Sequence, residues 1–360
     1  MHVAARGGWG VALLAGSFAC GVLLAEGALR AYHWTQGRPP FGDAPFLVRD
    51  AELGWRPNGN VSVERALVDA SGTAYRARVT TERDGFRRFP GANGRPRILI
   101  IGDSFTHAVE AGDEHAYWAV FARRHPDHAV FAIGAGGYGT LQEMLLLERV
   151  GARVRPDIVI WQFCDNDLTD NLFEAERRSV RHNNLTRRPY WADAIVYRNP
   201  APWPFATMDR WYEATWLRGL KIAQVHGYRL LSALRGQTDE DGFGGADGPA
   251  LRARAIAVTT AILSRGQAGR GTRLSFHACQ SGGDDFREIS QASGLYFLGD
   301  YGPQIAARRS EFEVFTGDGR HLNDHGHAVL GALLAADFAS WLGRDHRGLA
   351  STAWGSDPER

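Results

Sequence analysis

A serine at the end of a strand is a candidate nucleophile when a histidine and a carboxylate elsewhere in the chain can reach it. Ser104 closes Ile100-Ile101-Gly102-Asp103-Ser104, directly after the apolar, β-branched run Arg97 to Ile101. That run predicts a buried strand, and the small Gly102 lets the backbone leave it sharply, with the hydroxyl at the strand's C-terminal edge. Open α/β sheets bind ligands at that edge. Serine at its ordinary pKa is a poor nucleophile and needs an adjacent base. Far along the chain, Asp318-Gly319-Arg320-His321 sets a carboxylate three residues before an imidazole, so both can reach one face of a turn. His321 is then the candidate base, taking the Ser104 proton on attack and returning it to a leaving alcohol. Asp318 would fix the tautomer and stabilise the imidazolium. Taken alone, Gly-Asp-Ser reads equally well as a helix cap.

Two further segments fall between these, in order. Ile133-Gly134-Ala135-Gly136-Gly137-Tyr138-Gly139-Thr140 is a glycine-dense loop after the strand-like His128 to Ile133. Phe163-Cys164-Asp165-Asn166-Asp167 follows the strand-like Asp157 to Phe163. Together the four segments resemble the blocks of the SGNH/GDSL hydrolase superfamily: a serine, a glycine, an asparagine and an Asp-x-x-His. The resemblance covers roughly residues 95 to 345. It implies a flavodoxin-like, doubly wound parallel sheet in a three-layer sandwich, with no cofactor and no metal. It also assigns the oxyanion donors to the Ser104 and Gly134 backbone N–H groups and the Asn166 side chain. Ala108, Ala132 and Cys164 depart from the family's usual residues, and these changes bear on pocket shape more than on mechanism.

Several nearby residues receive plainer readings. Asp324 and His327 repeat the Asp-x-x-His spacing, but they fall at the start of a helical run where Asn323 or Asp324 would cap. His325 and His327 therefore read as surface or capping residues. His107, His115, His125 and His128 show no metal-ligand spacing and read as surface or core. The glycine loop lacks the Lys-Ser/Thr of a phosphate-binding loop and the acidic residue of a dinucleotide site. Asp167 and Asp170 could bind a cation, with nothing else in the sequence converging on them.

The elements around these residues alternate between strand and helix from Arg97 onward, the pattern of a parallel sheet with helices on both faces. Helical spacing covers His115 to Arg124, Thr140 to Val150, Leu251 to Ser264, Asp284 to Gln291 and Asn323 to Leu342. Arg273 to Ala278 and Leu295 to Leu298 complete the strands. Residues 31–94 read as a β-rich lead-in and 95–345 as the main domain. Residues 168–249 interrupt the rhythm as an inserted, aromatic-rich cap with Trp191, Trp203, Trp211 and Trp216, ending in a glycine-rich acidic loop from Thr238 to Gly248. Such tryptophans either pack or stack on sugar rings. The tail from 346 to 360 reads as loose.

The chain has 360 residues, 44% apolar and 22% charged, with a formal net charge of +1. These values are those of a globular protein, and nothing in them points to a nucleic-acid partner. Lys221 is the only lysine, which reads as compositional bias. Gly7 to Ala25 form an uncharged, mostly apolar run, long enough for a membrane span of about 18 residues. We read residues 7–29 as an anchor, with a cleaved signal peptide as the alternative. Cys164 and Cys279 each follow a strand, and the two strands would be neighbours in a flavodoxin-like order. They either pair or remain free thiols.

The resemblance implies an extracytoplasmic, membrane-anchored serine esterase acting on an acylated glycan or small ester through Ser104, His321 and Asp318. An O-acyltransferase acting on cell-envelope polysaccharide with the same residues is the first alternative. A non-catalytic glycan-binding protein is the second.

Overall fold

The computed structural model describes residues 46–91, 95–180, 186–203, 241–265 and 271–345, with scattered residues between 10 and 31 and between 205 and 234. Two antiparallel ribbons come first: β1 (Leu47–Asp50) pairs with β2 (Gly54–Pro57), and β3 (Val61–Val68) with β4 (Ala74–Thr81). Along β3 half-buried and exposed residues alternate, the period of a ribbon with one face covered. Its inner side joins Ala77, Val79, Phe46 and Val109 in a small core.

The main layer then runs β5 (Arg97–Gly102), α1 (Ser104–His107), α2 (Tyr117–Arg124), β6 (Ala129–Gly134), α3 (Thr140–Val154) and β7 (Ile158–Phe163). Short helices α4 (Asn166–Asn171) and α5 (Phe173–Arg178) precede a hairpin of β8 (Arg188–Trp191) and β9 (Ile195–Arg198). The sheet resumes through α6 (Gly248–Arg265), β10 (Thr272–His277), α7 (Gly283–Ala292), β11 (Tyr296–Asp300), α8 (Gly302–Ala307) and α9 (Asp324–Asp345).

Five strands lie in the order β11-β10-β7-β5-β6, every neighbouring pair parallel. This is the doubly wound order in which the chain starts in the middle and reverses once, leaving a crevice beside the C-terminal end of β5. The central strands are buried on both faces, which explains their continuous apolar runs. Leu99, Ile101, Phe131 and Trp161 pack against α3, α6 and α7 on one side. Ile98, Ile100, Val130 and Ile160 pack against α2 and α9 on the other.

Helix α9 is long and apolar enough to cross a membrane by composition, with a mean hydropathy of 1.2. It instead buries Leu330, Leu334, Phe338 and Trp341 against the sheet, so it is a core helix. The described residues between 10 and 31 are helical, with Leu13, Leu14, Leu23 and Leu24 exposed; the rest of that apolar run lies outside the described residues. So do Trp211, Trp216, Thr238 to Glu240 and residues 346–360. Trp191 packs against the main core beneath the Arg265 guanidinium, 5.0 Å from its ring centre. Trp203 is 81% exposed.

Cys164 and Cys279 are joined as a disulfide, their Cα atoms 5.1 Å apart, across the adjacent ends of β7 and β10. The bridge closes a loop with a sequence separation of 115 residues. A loop of about 100 residues corresponds to roughly 4.7 kcal/mol of lost chain entropy in the unfolded state. Replacing both cysteines by serine is therefore expected to lower unfolding free energy by ~3–5 kcal/mol. Urea denaturation would measure it, and a midpoint unchanged from that of the oxidised protein would rule out a stabilising bridge.

Candidate active site

Ser104 is the first residue of α1, at the end of β5. The preceding Asp103 takes a non-helical backbone, and its Oδ1 accepts the Phe105 N–H at 2.9 Å, capping the short helix. Gly102 is required for this turn, because a Cβ there would fall onto the Gln162 and Thr106 side chains. The helix closes at Ala108 with φ at 49°, in the left-handed region. Alanine is strained there by ~1–2 kcal/mol relative to glycine.

Asp318 and His321 lie on a tight loop before α9. The Phe315–Leu322 bridge and the Thr316 N–H donated to the His321 carbonyl (2.8 Å) close this loop, with Gly319 at φ 71°. The β3–β4 ribbon supports it from outside, since Gly317 N–H donates to the Val68 carbonyl at 2.7 Å and Ala70 N–H to Phe315. The lead-in thus braces the loop that carries the imidazole.

This framework brings three predicted residues together. His321 Nε2 lies 3.1 Å from Ser104 Oγ, and Nδ1 lies 2.5 Å from Asp318 Oδ2. With the Nδ1 proton donated to the carboxylate, the Nε2 lone pair faces the serine hydroxyl. The other Asp318 oxygen accepts the Arg320 and His321 N–H groups at 2.8 and 3.0 Å and the Thr316 hydroxyl at 2.7 Å. Burial would raise the Asp318 pKa, but His321 and these donors outweigh it and hold the carboxyl well below its ordinary value. Burial would lower the His321 pKa; Asp318, Glu110 and Asp103 override it and push it up to about 9. The imidazole is 32% exposed, so water screens part of that shift.

Gly134 ends β6 in register with Gly102. A Cβ on it would lie 2.5 Å from the Gly102 carbonyl oxygen and 2.9 Å from that of Asp103, so only glycine lets β6 run this close to the serine turn. Asn166 begins α4, and its amide donates to the Tyr138 carbonyl at 3.2 Å and to Asp170 Oδ2 at 2.9 Å. Both amide hydrogens are therefore already directed to protein acceptors.

His327 corrects the sequence reading. It is a buried core residue stacked on Tyr117 with ring centres 6.0 Å apart, and Tyr117 N–H donates to its Nδ1 at 3.4 Å. Burial, with Arg87 and His321 nearby, pushes its pKa down to about 3. Asn323 caps the helix instead, accepting the Gly326 N–H at 3.0 Å. The 3.6-residue turn explains the difference: once α9 starts at Asp324, position 327 points inward.

Other polar groups at this edge take roles that the sequence did not indicate. Buried His277, at the end of β10, holds Asp300 through Nδ1 at 2.9 Å and Asp165 through Nε2 at 3.0 Å. Burial opposes its charge, but the two carboxylates hold its pKa up at about 9. With the adjacent disulfide it fixes the Cys164–Asn166 turn. Its only sequence signal is a histidine at a strand end; Asp165 lies 112 residues away. Glu143 and Asp167 are buried near Asp103, and burial with mutual repulsion raises both pKa values well above the ordinary carboxyl range. Burial also pushes Asp103 up to about 6. Among the described residues no group of His, Cys, Asp and Glu is arranged to hold a metal ion.

No protein-family model and no curated protein matches the chain. Among solved structures it is similar to the psychrotrophic esterase EstA of Pseudoalteromonas sp., at 11% identity and a TM-score of 0.38, over 69% of this chain and 99% of that one. It is similar to the acetylxylan esterase Axe2 of Geobacillus stearothermophilus, solved as a catalytic mutant, at 13% identity and a TM-score of 0.37, over 71% and 97%. A member of the lipolytic G-D-S-L family from Veillonella parvula DSM 2008 is similar at 9% identity and a TM-score of 0.35, over 69% and 98%.

Proposed function

We propose that this chain is a serine esterase of the SGNH type, hydrolysing O-acyl esters through an acyl-enzyme on Ser104. The observation that carries the reading is the hydrogen-bonded run from Ser104 Oγ through His321 to Asp318, at 3.1 and 2.5 Å. His321 takes the hydroxyl proton as Ser104 attacks the ester carbonyl, forming a tetrahedral oxyanion. The intermediate collapses as His321 gives that proton to the leaving alcohol, leaving an acyl-serine. Water, deprotonated by His321, then attacks the acyl carbon and regenerates the free hydroxyl.

In this reading the Ser104 and Gly134 N–H groups and the Asn166 amide receive the oxyanion. Asn166 exchanges its bond to the Tyr138 carbonyl for the developing charge. Replacing Asn166 by alanine is then expected to lower kcat by ~10²–10³-fold with little change in KM. A loss below tenfold would remove Asn166 from the oxyanion site.

The substrate class we assign is an acylated glycan or small ester, with the exposed Trp203 offering a ring face to a sugar. We place the domain outside the cytoplasm, tethered by the N-terminal helix; the Cys164–Cys279 bridge is the kind of bond an oxidising compartment preserves. A fluorophosphonate probe tests the chemistry directly. Wild type should be labelled, and Ser104→Ala and His321→Ala should not. Folded wild type that resists labelling would sink the proposal.

A further inference from the structure

A cavity of about 340 Å³ lies at the end of β5 and β6 opposite Ser104. It opens between the 87–91 segment, which pairs along the free edge of β6 through Arg88 and Ala132, and the turn from α2 into β6. β5 is six residues long, and at about 3.3 Å per residue this places the cavity roughly 20 Å from Ser104.

Its walls carry Arg88, Arg95, Arg123 and His128, beside Pro90 and Pro126. Arg95 and Arg123 each donate one N–H to a backbone carbonyl, of Pro126 and of Glu114. None of the three guanidiniums has a carboxylate partner among the described residues. Two donor-capable nitrogens, Arg88 Nε and His128 Nδ1, are shielded from solvent with no hydrogen-bond partner. Glu82, the nearest acid acting on Arg88, directs one oxygen to the Phe89 N–H at 3.0 Å. Burial and the charge of Arg123 both work against the Arg88 cation.

Three guanidiniums share one wall without an ion pair among the described residues; Glu82 acts on Arg88 and Asp127 on His128 only at a distance. Guanidinium forks match tetrahedral oxyanions bidentately. A carboxylate would bring one charge; a phosphoryl group brings up to two, with several oxygens around one centre.

We propose that this cavity is a binding site for a phosphoryl group, independent of the chemistry at Ser104. The same head could belong to a soluble phosphomonoester or to a phospholipid. Calorimetric titration of the full-length protein with inorganic phosphate and glycerol phosphate, against acetate at equal ionic strength, tests the site. Vesicles of phosphatidylcholine with and without phosphatidic acid separate the two sources.

Saturable binding is expected for the phosphates and not for acetate. Arg88→Gln and Arg123→Gln should each weaken it about tenfold or more, and Arg124→Gln, outside the cavity, should leave it unchanged. Arg123 is exposed, so its variant keeps the fold even if Arg88→Gln does not. Without phosphate, Arg123→Gln should melt no lower than wild type, because a repulsion with Arg88 has been removed. Vesicle binding with the same arginine dependence assigns the head to a lipid; binding of the small phosphates alone assigns it to a soluble ligand. Equal binding of acetate, survival of phosphate binding in both variants, or no saturable binding of any probe would overturn the proposal.

Discussion

Replacing Ser104 by alanine is expected to lower ester turnover by ~10⁴–10⁶-fold, with the fold intact. The alanine removes only the hydroxyl oxygen at a half-buried helix start, so the Asp103 cap, which uses the Phe105 N–H, is untouched. Chemistry is lost because His321 Nε2, 3.1 Å from the missing oxygen, has nothing to deprotonate. The residues of such a set act as one unit. His321→Ala should therefore cost nearly as much alone, and the double variant little more than either. Steady-state rates on a chromogenic acetate ester would show this. Losses that multiply would mean that Ser104 and His321 do not share one reaction path.

Parts of this site are legible in the sequence alone. The continuous apolar strands at 97–101, 129–133 and 158–163 signal burial on both faces, and alternation with helices signals a parallel sheet. Ser104, Gly134 and Asn166 stand at strand ends, and strand ends are visible as composition changes. Side-chain direction was not visible. His321 and His327 share the same spacing from an aspartate, yet one meets Ser104 and the other stacks on Tyr117. What separates them is the residue at which α9 begins, a one-residue matter that propensity does not fix. Long-range pairings were legible only as far as strand adjacency, which left Cys164 and Cys279 either paired or free and gave no sign of the Asp165–His277 contact. Phe163 and His277 are in register, and this sets Cys164 beside Cys279 and Asp165 beside His277. Nothing local in any of those segments specifies the pairing. Asn166 could be located but not oriented, since its present partners, Tyr138 and Asp170, lie on a different loop and the next helical turn.

Replacing Asp318 by asparagine should cost ~10⁴-fold in kcat, and the pH profile should say why. In the wild type, the short Nδ1–Asp318 contact places the imidazole proton on Nδ1 and leaves Nε2 free as base. An asparagine can turn its NH₂ toward Nδ1, stabilising the opposite tautomer and directing an N–H at Ser104. The hydrogen bond to the carboxylate is also the strongest influence raising His321 above its ordinary 6.5 toward about 9. A raised pKa enlarges the protonated fraction of His321 as pH falls, and that fraction cannot act as base. The sign follows: wild-type kcat/KM should climb tenfold per pH unit below the His321 midpoint and level off above it. Water at the partly exposed ring places that midpoint between 6.5 and about 9. In Asp318→Asn the residual activity should level off at lower pH, because the neighbouring negative charge is gone. A wild-type midpoint at or below 6.5 would contradict the electrostatic coupling. A residual profile in Asp318→Asn with an unmoved midpoint would show that a different group limits the rate, since removing the contact carboxylate cannot leave the imidazole's proton affinity unchanged.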